Sequence, residues 1–334
     1  MPGDSAEDIL TLRNVCKYYK DRKGSGHLLK AVDGVSFSVR RGETFGLVGE
    51  SGCGKSTLSR VILQLEPVSG GSVAFEGRDF ARIGRRELRA MRKEMQIVFQ
   101  DPYDSIDPRM TLEQAVEEPM AIHRYDRSLR KTRIKKLFED VGLPVNMLNR
   151  YPHQLSGGQR QRLCIARSLA LSPKLLVCDE AVSALDVSIQ AQILNLMCDL
   201  KEEHNLTYIF ISHNLGVIKF ISDRIAVMYF GKIVELASRN EIFTHYLHPY
   251  TCALLSAAPV LHPSMRRERM LLTGDVPNLY NPPAGCVFCD RCVYADSRCR
   301  SEAPVLRGYG EDRQAACHYA GELPLKVNWG GAPC

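Results

Sequence analysis

Gly49-Glu-Ser-Gly-Cys-Gly-Lys-Ser lies between an apolar run, Thr44-Phe-Gly-Leu-Val, and a helix-forming run that begins Leu58-Ser-Arg-Val-Ile-Leu. The spacing is G-x-x-x-x-G-K-[ST], and a strand before it with a helix after it is the setting in which that spacing cradles phosphate. Ser51, Gly52, Cys53 and Gly54 complete the loop, whose backbone N–H groups can close around phosphate oxygens. The helix N-terminus adds about half a positive charge. Lys55 would reach the β- and γ-phosphates, the Ser56 hydroxyl would ligate Mg²⁺, and Thr57 would support the phosphates from the first helical turn. Such a site needs a second Mg²⁺ anchor and a group that orients water. Asp179 ends the apolar run Leu175–Cys178, where a carboxylate can hold the ion through water. Glu180 follows at once, so in an extended chain it points the other way, where it can accept a proton from attacking water.

Leu155-Ser-Gly-Gly-Gln opens a helix rich in Arg and Gln. Ser156 is a natural N-cap, and Gly157 and Gly158 leave bare N–H groups facing outward. The glycine loop already supplies one phosphate site. A second such helix end is accounted for by a dimer in which the Ser156-Gly157-Gly158-Gln159 end of each subunit caps the γ-phosphate bound by the other. Gln100 follows the strand Met95–Phe99 and His213 follows the strand 207–212. They complete a polar ring around the γ-phosphate, with Gln100 joining Ser56 and Asp179 as a Mg²⁺ contact.

The elements that must position these groups read as strands alternating with helices. Strands are expected at 44–48, 71–77, 95–99, 174–179 and 207–212, a last hairpin turns through Phe230-Gly231, and helices cover about 157–171 and 188–203. That alternation predicts an α/β fold with a mainly parallel sheet covered on both faces. The stretch 111–149 is helical and richly charged. Beyond Pro249 prolines, glycines and cysteines become dense, which places a boundary near 240–260. At 334 residues the chain exceeds the roughly 250–300 at which one core stops growing. No run approaches the ~18 apolar residues of a membrane span and Met1-Pro-Gly-Asp lacks a basic, apolar leader, so the chain is expected to cross no membrane by itself. The net charge of +6, from 44 basic against 38 acidic residues, is too thin to imply nucleic acid.

With this motif set in order, the chain resembles the nucleotide-binding subunits of ATP-binding cassette (ABC) transporters over about residues 8–260. The resemblance implies a P-loop ABC cassette over 1–250: a RecA-like core, an antiparallel β subdomain and a helical subdomain at about 101–160. A smaller extension follows over 251–334. It implies that Tyr19, with Tyr18 beside it, stacks on adenine, that Gln100 is the Q-loop glutamine, and that 155–159 is the signature. It implies that Glu180 is the general base, that Ser183-Ala-Leu-Asp is the D-loop, and that His213 is the switch histidine. Ala181 stands where the family usually has Pro, which would loosen the turn after Glu180. Asn214 replaces the usual Asp, which would shift the histidine.

Phe99-Gln-Asp-Pro-Tyr-Asp-Ser-Ile-Asp-Pro-Arg-Met-Thr, Tyr151-Pro-His-Gln-Leu-Ser-Gly-Gly-Gln-Arg-Gln-Arg and His248-Pro-Tyr-Thr-Cys-Ala-Leu-Leu-Ser-Ala are similar to the dipeptide/oligopeptide importer branch. Within it, the chain resembles the second ATPase subunit. The resemblance implies ATP hydrolysis that energises peptide import from the cytoplasmic face of the inner membrane. It implies a second related ATPase (or a homodimer), two permease subunits and an extracytoplasmic solute-binding protein as partners, and no nucleic acid. Related nickel importers share these motifs, so nickel or another small solute stays open. A non-transport ATPase of the same family would carry a second cassette or a coiled-coil insertion, and the sequence has neither.

Twelve cysteines remain to be placed. Seven (Cys16, Cys53, Cys164, Cys178, Cys198, Cys252 and Cys334) are scattered, mostly beside apolar residues, and read as buried thiols. The other five run Cys286-Val-Phe-Cys-Asp-Arg-Cys-Val-Tyr-Ala-Asp-Ser-Arg-Cys and then Cys317-His318. The C-x2-C-x2-C spacing suits an iron–sulfur cluster or zinc, spacing alone does not separate them, and a segment without metal is the lesser alternative. Resemblance to the importer tails implies a four-iron four-sulfur cluster on Cys286, Cys292, Cys299 and Cys317, with Cys289 surplus or an alternative ligand.

Overall fold

The computed structural model describes residues 8–20, 28–101, 105–257 and 282–325; Pro102, Tyr103, Asp104 and Cys334 lie outside them. Two 13-residue strands, β1 (Asp8–Lys20) and β2 (Leu28–Arg40), pair antiparallel. With β4 (Gly70–Phe75) and β5 (Arg78–Asp79) they form a four-stranded sheet of order β2-β1-β4-β5.

The larger sheet has order β11-β12-β10-β9-β3-β8-β7-β6. Its parallel centre is β3 (Thr44–Val48), β6 (Met95–Val98), β7 (Leu175–Asp179), β8 (Thr207–Ile211) and β9 (Arg224–Tyr229). Antiparallel β10 (Lys232–Ser238) and two short tail strands, β11 (Arg307–Gly308) and β12 (Gln314–Ala315), extend it. The helices are α1 (Lys55–Ile62), α2 (Arg85–Met91), α3 (Leu112–Ile122), α4 (Arg127–Asp140), α5 (Gly157–Leu169), α6 (Val187–His204), α7 (Leu215–Ile221), α8 (Arg239–Thr244), α9 (Pro249–Ala257) and α10 (Ser297–Ser301).

Strand alternation sorts the core into two layers. Leu176, Cys178, Tyr208, Phe210, Ile225 and Val227 face a layer built with α3 to α7 and the tail. Leu175, Val177, Ile209, Ile211, Ala226 and Met228 face α1 and the antiparallel sheet. Both faces are therefore dry, which is why β7 and β8 read as unbroken apolar runs.

The described residues from 249 onward, 249–257 and 282–325, do not stand apart from this core. α9 is buried along most of its length, and Cys286, Val287, Phe288, Cys289 and Cys299 belong to the same apolar layer as α3 to α7. Glu235 supplies the polar junction. Its carboxylate accepts from Leu247 N at 2.6 Å and His248 N at 3.0 Å, and its backbone stands opposite Ala315. Burial raises its carboxyl to about 7, and burial lowers the His248 imidazole to about 3. The expected helix 157–171 ends at Leu169 instead, because Ser172 takes φ +53° ahead of Pro173.

Candidate nucleotide site

Gly49, Gln100, Asp179 and His213 all lie at the carboxyl ends of parallel strands. Leu47 stands opposite Ile211, Ile211 opposite Asp179, and Val98 opposite Cys178. Their following loops thus open on one edge of the sheet, the usual place for a ligand in this architecture.

Gly54 caps α1 with φ +107°, and a Cβ there would stand 2.0 Å from Ala31 O, so only glycine fits. No side chain caps α1 and its first turn holds no acid, so its leading N–H groups are left for an anion. Lys55 is buried, its ammonium donating to Gly49 O (2.8 Å) and Glu50 O (2.9 Å) at the centre of the loop. Cys53 is buried beside it, and burial raises its thiol, so it packs and does not react.

Ser56 Oγ donates to Asp179 Oδ1 at 3.3 Å, and Ser59 Oγ donates to Oδ2 at 3.1 Å. Ser59 is the residue that sequence reasoning missed. It lies three residues beyond Ser56, on the same helix face, and that spacing was the available signal. Burial raises the Asp179 carboxyl against the pull of these hydroxyls. A half-buried, unneutralised carboxylate beside a hydroxyl and a phosphate loop is a donor set that fits Mg²⁺.

Glu180 departs from the extended conformation expected for it. Its φ is +51°, and its N–H donates to Ile211 O at 2.9 Å. The turn, and not strand alternation, aims its carboxylate, and Oε1 lies 3.1 Å from His213 Nδ1. Ser183 closes that turn with both its N–H (3.0 Å) and its hydroxyl (2.9 Å) on Glu180 O, so Ala181 does not leave it loose. Asn214 caps α7, its Oδ1 accepting from Gly216 N (2.9 Å) and Val217 N (3.4 Å). Asn and Asp cap about equally well, so the histidine's support is kept. Gln100 is exposed two residues past β6.

At the start of α5, Ser156 Oγ accepts from Gln159 N and Gln159 Oε1 accepts from Ser156 N, a reciprocal capping box. The box uses the N–H groups of Ser156 and Gln159, and leaves those of Gly157 and Gly158, the pair expected to face outward, without a helical partner. Near the other end of the loop, the Tyr19 hydroxyl donates to Glu66 and lies against Thr57, while Tyr18 donates to Asp33 at 2.6 Å.

Residues 32–183 match the family model described as ABC transporter, and 234–299 match the oligopeptide/dipeptide transporter C-terminal region. The chain is similar to the oligopeptide transport ATP-binding protein AppF of Bacillus subtilis (strain 168), with 48% identity over 95% of this chain and 99% of that protein. It is also similar to the dipeptide transport ATP-binding protein DppF of Haemophilus influenzae, with 46% identity over 93% and 96%. The chain belongs to the ATP-binding subunits of ABC transporters. Among solved structures it is similar to the dimeric post-hydrolysis state of the ATP-binding cassette MJ0796 bound to ADP and Pi. That match has a TM-score of 0.62 and 30% identity over 69% of this chain and 98% of that one. As an ABC transporter subunit the chain binds ATP with Mg²⁺ and hydrolyses it to energise transport.

In this ABC subunit the tail carries a second cluster. Cys286, Cys289, Cys292, Cys299 and Cys317 line one cavity with His248, Phe288 and His318, and each of the five is a free thiol. Asp296 caps α10 by accepting from Cys299 N at 2.9 Å, and Cys286 N donates to Cys299 O at 2.7 Å. Burial, with neighbouring thiols adding to it, raises Cys286 to about 12 and Cys317 to about 11. All five cysteines come together, so placement alone does not single out Cys289. His318 Nε2 is already 2.9 Å from Glu302 O.

Proposed function

We propose that the chain is the peptide-importer type of this family, organised as a cassette over 1–250 (helical subdomain about 101–160) and an extension over 251–334. The observation that carries this reading is the match of 234–299 to the oligopeptide/dipeptide transporter C-terminal region together with a complete set of ATPase residues. Tyr19 stacks on adenine, and its placement against Thr57 at the start of α1 supports that role. Lys55 and the amides of 49–57 hold the phosphates. Ser56, Asp179 and Gln100 hold Mg²⁺, which when bound offsets the charge of the β- and γ-phosphates. Glu180 takes the proton of the attacking water, and His213 orients it. The Ser156–Gln159 end completes the γ-phosphate site of a second, related ATPase, and receives the same service from it. The pair works at the cytoplasmic face of the inner membrane with two permease subunits and a solute-binding protein. Purification of the tagged chain from native membranes is expected to bring permease and a second ATPase with it. Recovery with nucleic acid or ribosomes would favour a non-transport ATPase.

The tail cavity is proposed to hold a four-iron four-sulfur cluster on Cys286, Cys292, Cys299 and Cys317, with Cys289 as the surplus thiol and zinc as the alternative. What supports a metal group there is the gathering of Cys286, Cys289, Cys292, Cys299 and Cys317 around one cavity, a set of thiols that suits either a four-iron cluster or zinc. Anaerobic purification is expected to give coloured protein with equal iron and sulfide; colourless protein with one zinc would assign zinc.

A further inference from the structure

Arg291 lies in the short turn Cys289–Arg291, between two of the cavity's thiols, and its guanidinium points away from them to Glu50 inside the glycine loop. Nη1 lies 2.8 Å from Oε2 and Nη2 lies 3.2 Å from Oε1, a two-point fork between residues 241 apart in the chain. The Arg291 side chain is 8% exposed and that of Glu50 is 25%. Nη1 also reaches Tyr229 Oη at 3.4 Å, and the guanidinium carbon stands 5.9 Å from that ring's centre. Glu50 N–H donates to Tyr250 Oη at 2.9 Å, and Glu50 O accepts from Lys55 Nζ. Phe288, three residues before Arg291, packs on both tyrosines at 5.3 and 5.4 Å between centroids. The loop residue next to Gly49 is thus held from the carboxyl-terminal side through its carboxylate and its amide.

A carboxylate in a loop that gathers phosphates is an electrostatic liability. Left unpaired, it repels a triphosphate at short range through partly buried, weakly screened space. The forked guanidinium both neutralises it and fixes its direction, which a lysine ammonium cannot do to the same degree. The pair does not touch the reacting phosphate. Its effect must pass through the loop.

We propose that Arg291 is a positioning residue for ATP binding, a clamp that holds the Glu50 carboxylate toward the tail and ties the phosphate loop to the Cys289–Cys292 turn. This rests on the reading of residues 49–57 as the nucleotide site. Because one guanidinium belongs to the thiol turn and grips the loop, a displacement of the turn is felt by the nucleotide, and nucleotide binding is felt by the turn.

The test is the dissociation constant of a fluorescent ATP analogue for the purified full chain. Coupling between two sites typically amounts to about 5- to 150-fold in affinity. Arg291→Ala is expected to weaken binding by about tenfold, with Arg291→Lys between it and the wild type. In the Glu50→Gln background the same Arg291→Ala change is expected to cost little, because the fork it would break is already gone. Unchanged affinity in Arg291→Ala overturns the clamp. An equal weakening by Arg291→Ala in the Glu50→Gln background also overturns it, since Arg291 would then act only by folding the tail. Lys55→Ala separates the two readings. Loss of binding there keeps the loop as the nucleotide site whatever the fate of the clamp, and retained binding removes the site reading itself.

Discussion

Glu180→Gln is expected to cut ATP turnover by about 10²–10⁴-fold, the usual contribution of a positioned general base, while the chain still binds ATP. The groups that would hold the triphosphate are elsewhere: Lys55, the amides ahead of α1, and the Ser56–Asp179 pair, whose hydroxyl-to-carboxylate distance is 3.3 Å. The amide has the same shape as the carboxylate. It can keep both the left-handed turn at φ +51° and the 3.1 Å approach to His213 Nδ1. What it cannot do is take a proton from water. Binding without hydrolysis should accumulate the ATP-bound dimer, so phosphate release and dimer fraction by light scattering move in opposite directions. A wild-type rate of phosphate release in this variant would remove Glu180 from the role.

The parts of this site that sequence reveals are those whose chemistry is local. The glycine loop, Asp179 at the end of an apolar run and the capping residues before α5 each occupy a handful of consecutive positions, and their physics is complete within them. β7 and β8 are legible because both their faces are buried. β1 and β2 are not, although each has 13 residues. Register shifts run along β1, and Asn14 takes φ +48°, so the alternation of period two is repeatedly broken. Glu235 is an acid inside the apolar stretch 233–237 of β10, and its reason lies in two amides 12 and 13 residues away. β12 is two residues long and owes its existence to the free edge of β10. Arg291 and Glu50 carry no mutual signal in the chain at all. The same holds for the aim of Glu180, which depends on a turn closed by Ser183.

Gly157→Asp is expected to lower turnover of the assembled dimer by about 10²-fold or more, the scale of removing a donor aimed at developing negative charge, with the isolated chain folding and binding ATP as before. The fold of one subunit gives no reason for glycine at this position. A Cβ on Gly157 would meet only Leu185 Cδ2, at an ordinary 3.7 Å, whereas one on Gly158 would stand 2.6 Å from Ile189 Cγ2. Gly158 is thus required by packing against α6. Gly157 is exposed, and its bareness serves whatever approaches from outside. An aspartate at the first position of α5 favours the helix through its dipole, so the melting temperature should hold while the new charge repels a partner's γ-phosphate. The arrangement across the dimer has its own test in chains that form homodimers on mixing. Lys55→Ala disables a subunit's own loop, and Gly157→Asp disables the loop of the opposite subunit. Mixing the two inactive variants therefore leaves one intact site, made from the loop of the Gly157→Asp chain and the signature of the Lys55→Ala chain, and a burst of phosphate release should return. If each signature served its own loop, every site in the mixed dimer would carry one lesion, and no burst would appear.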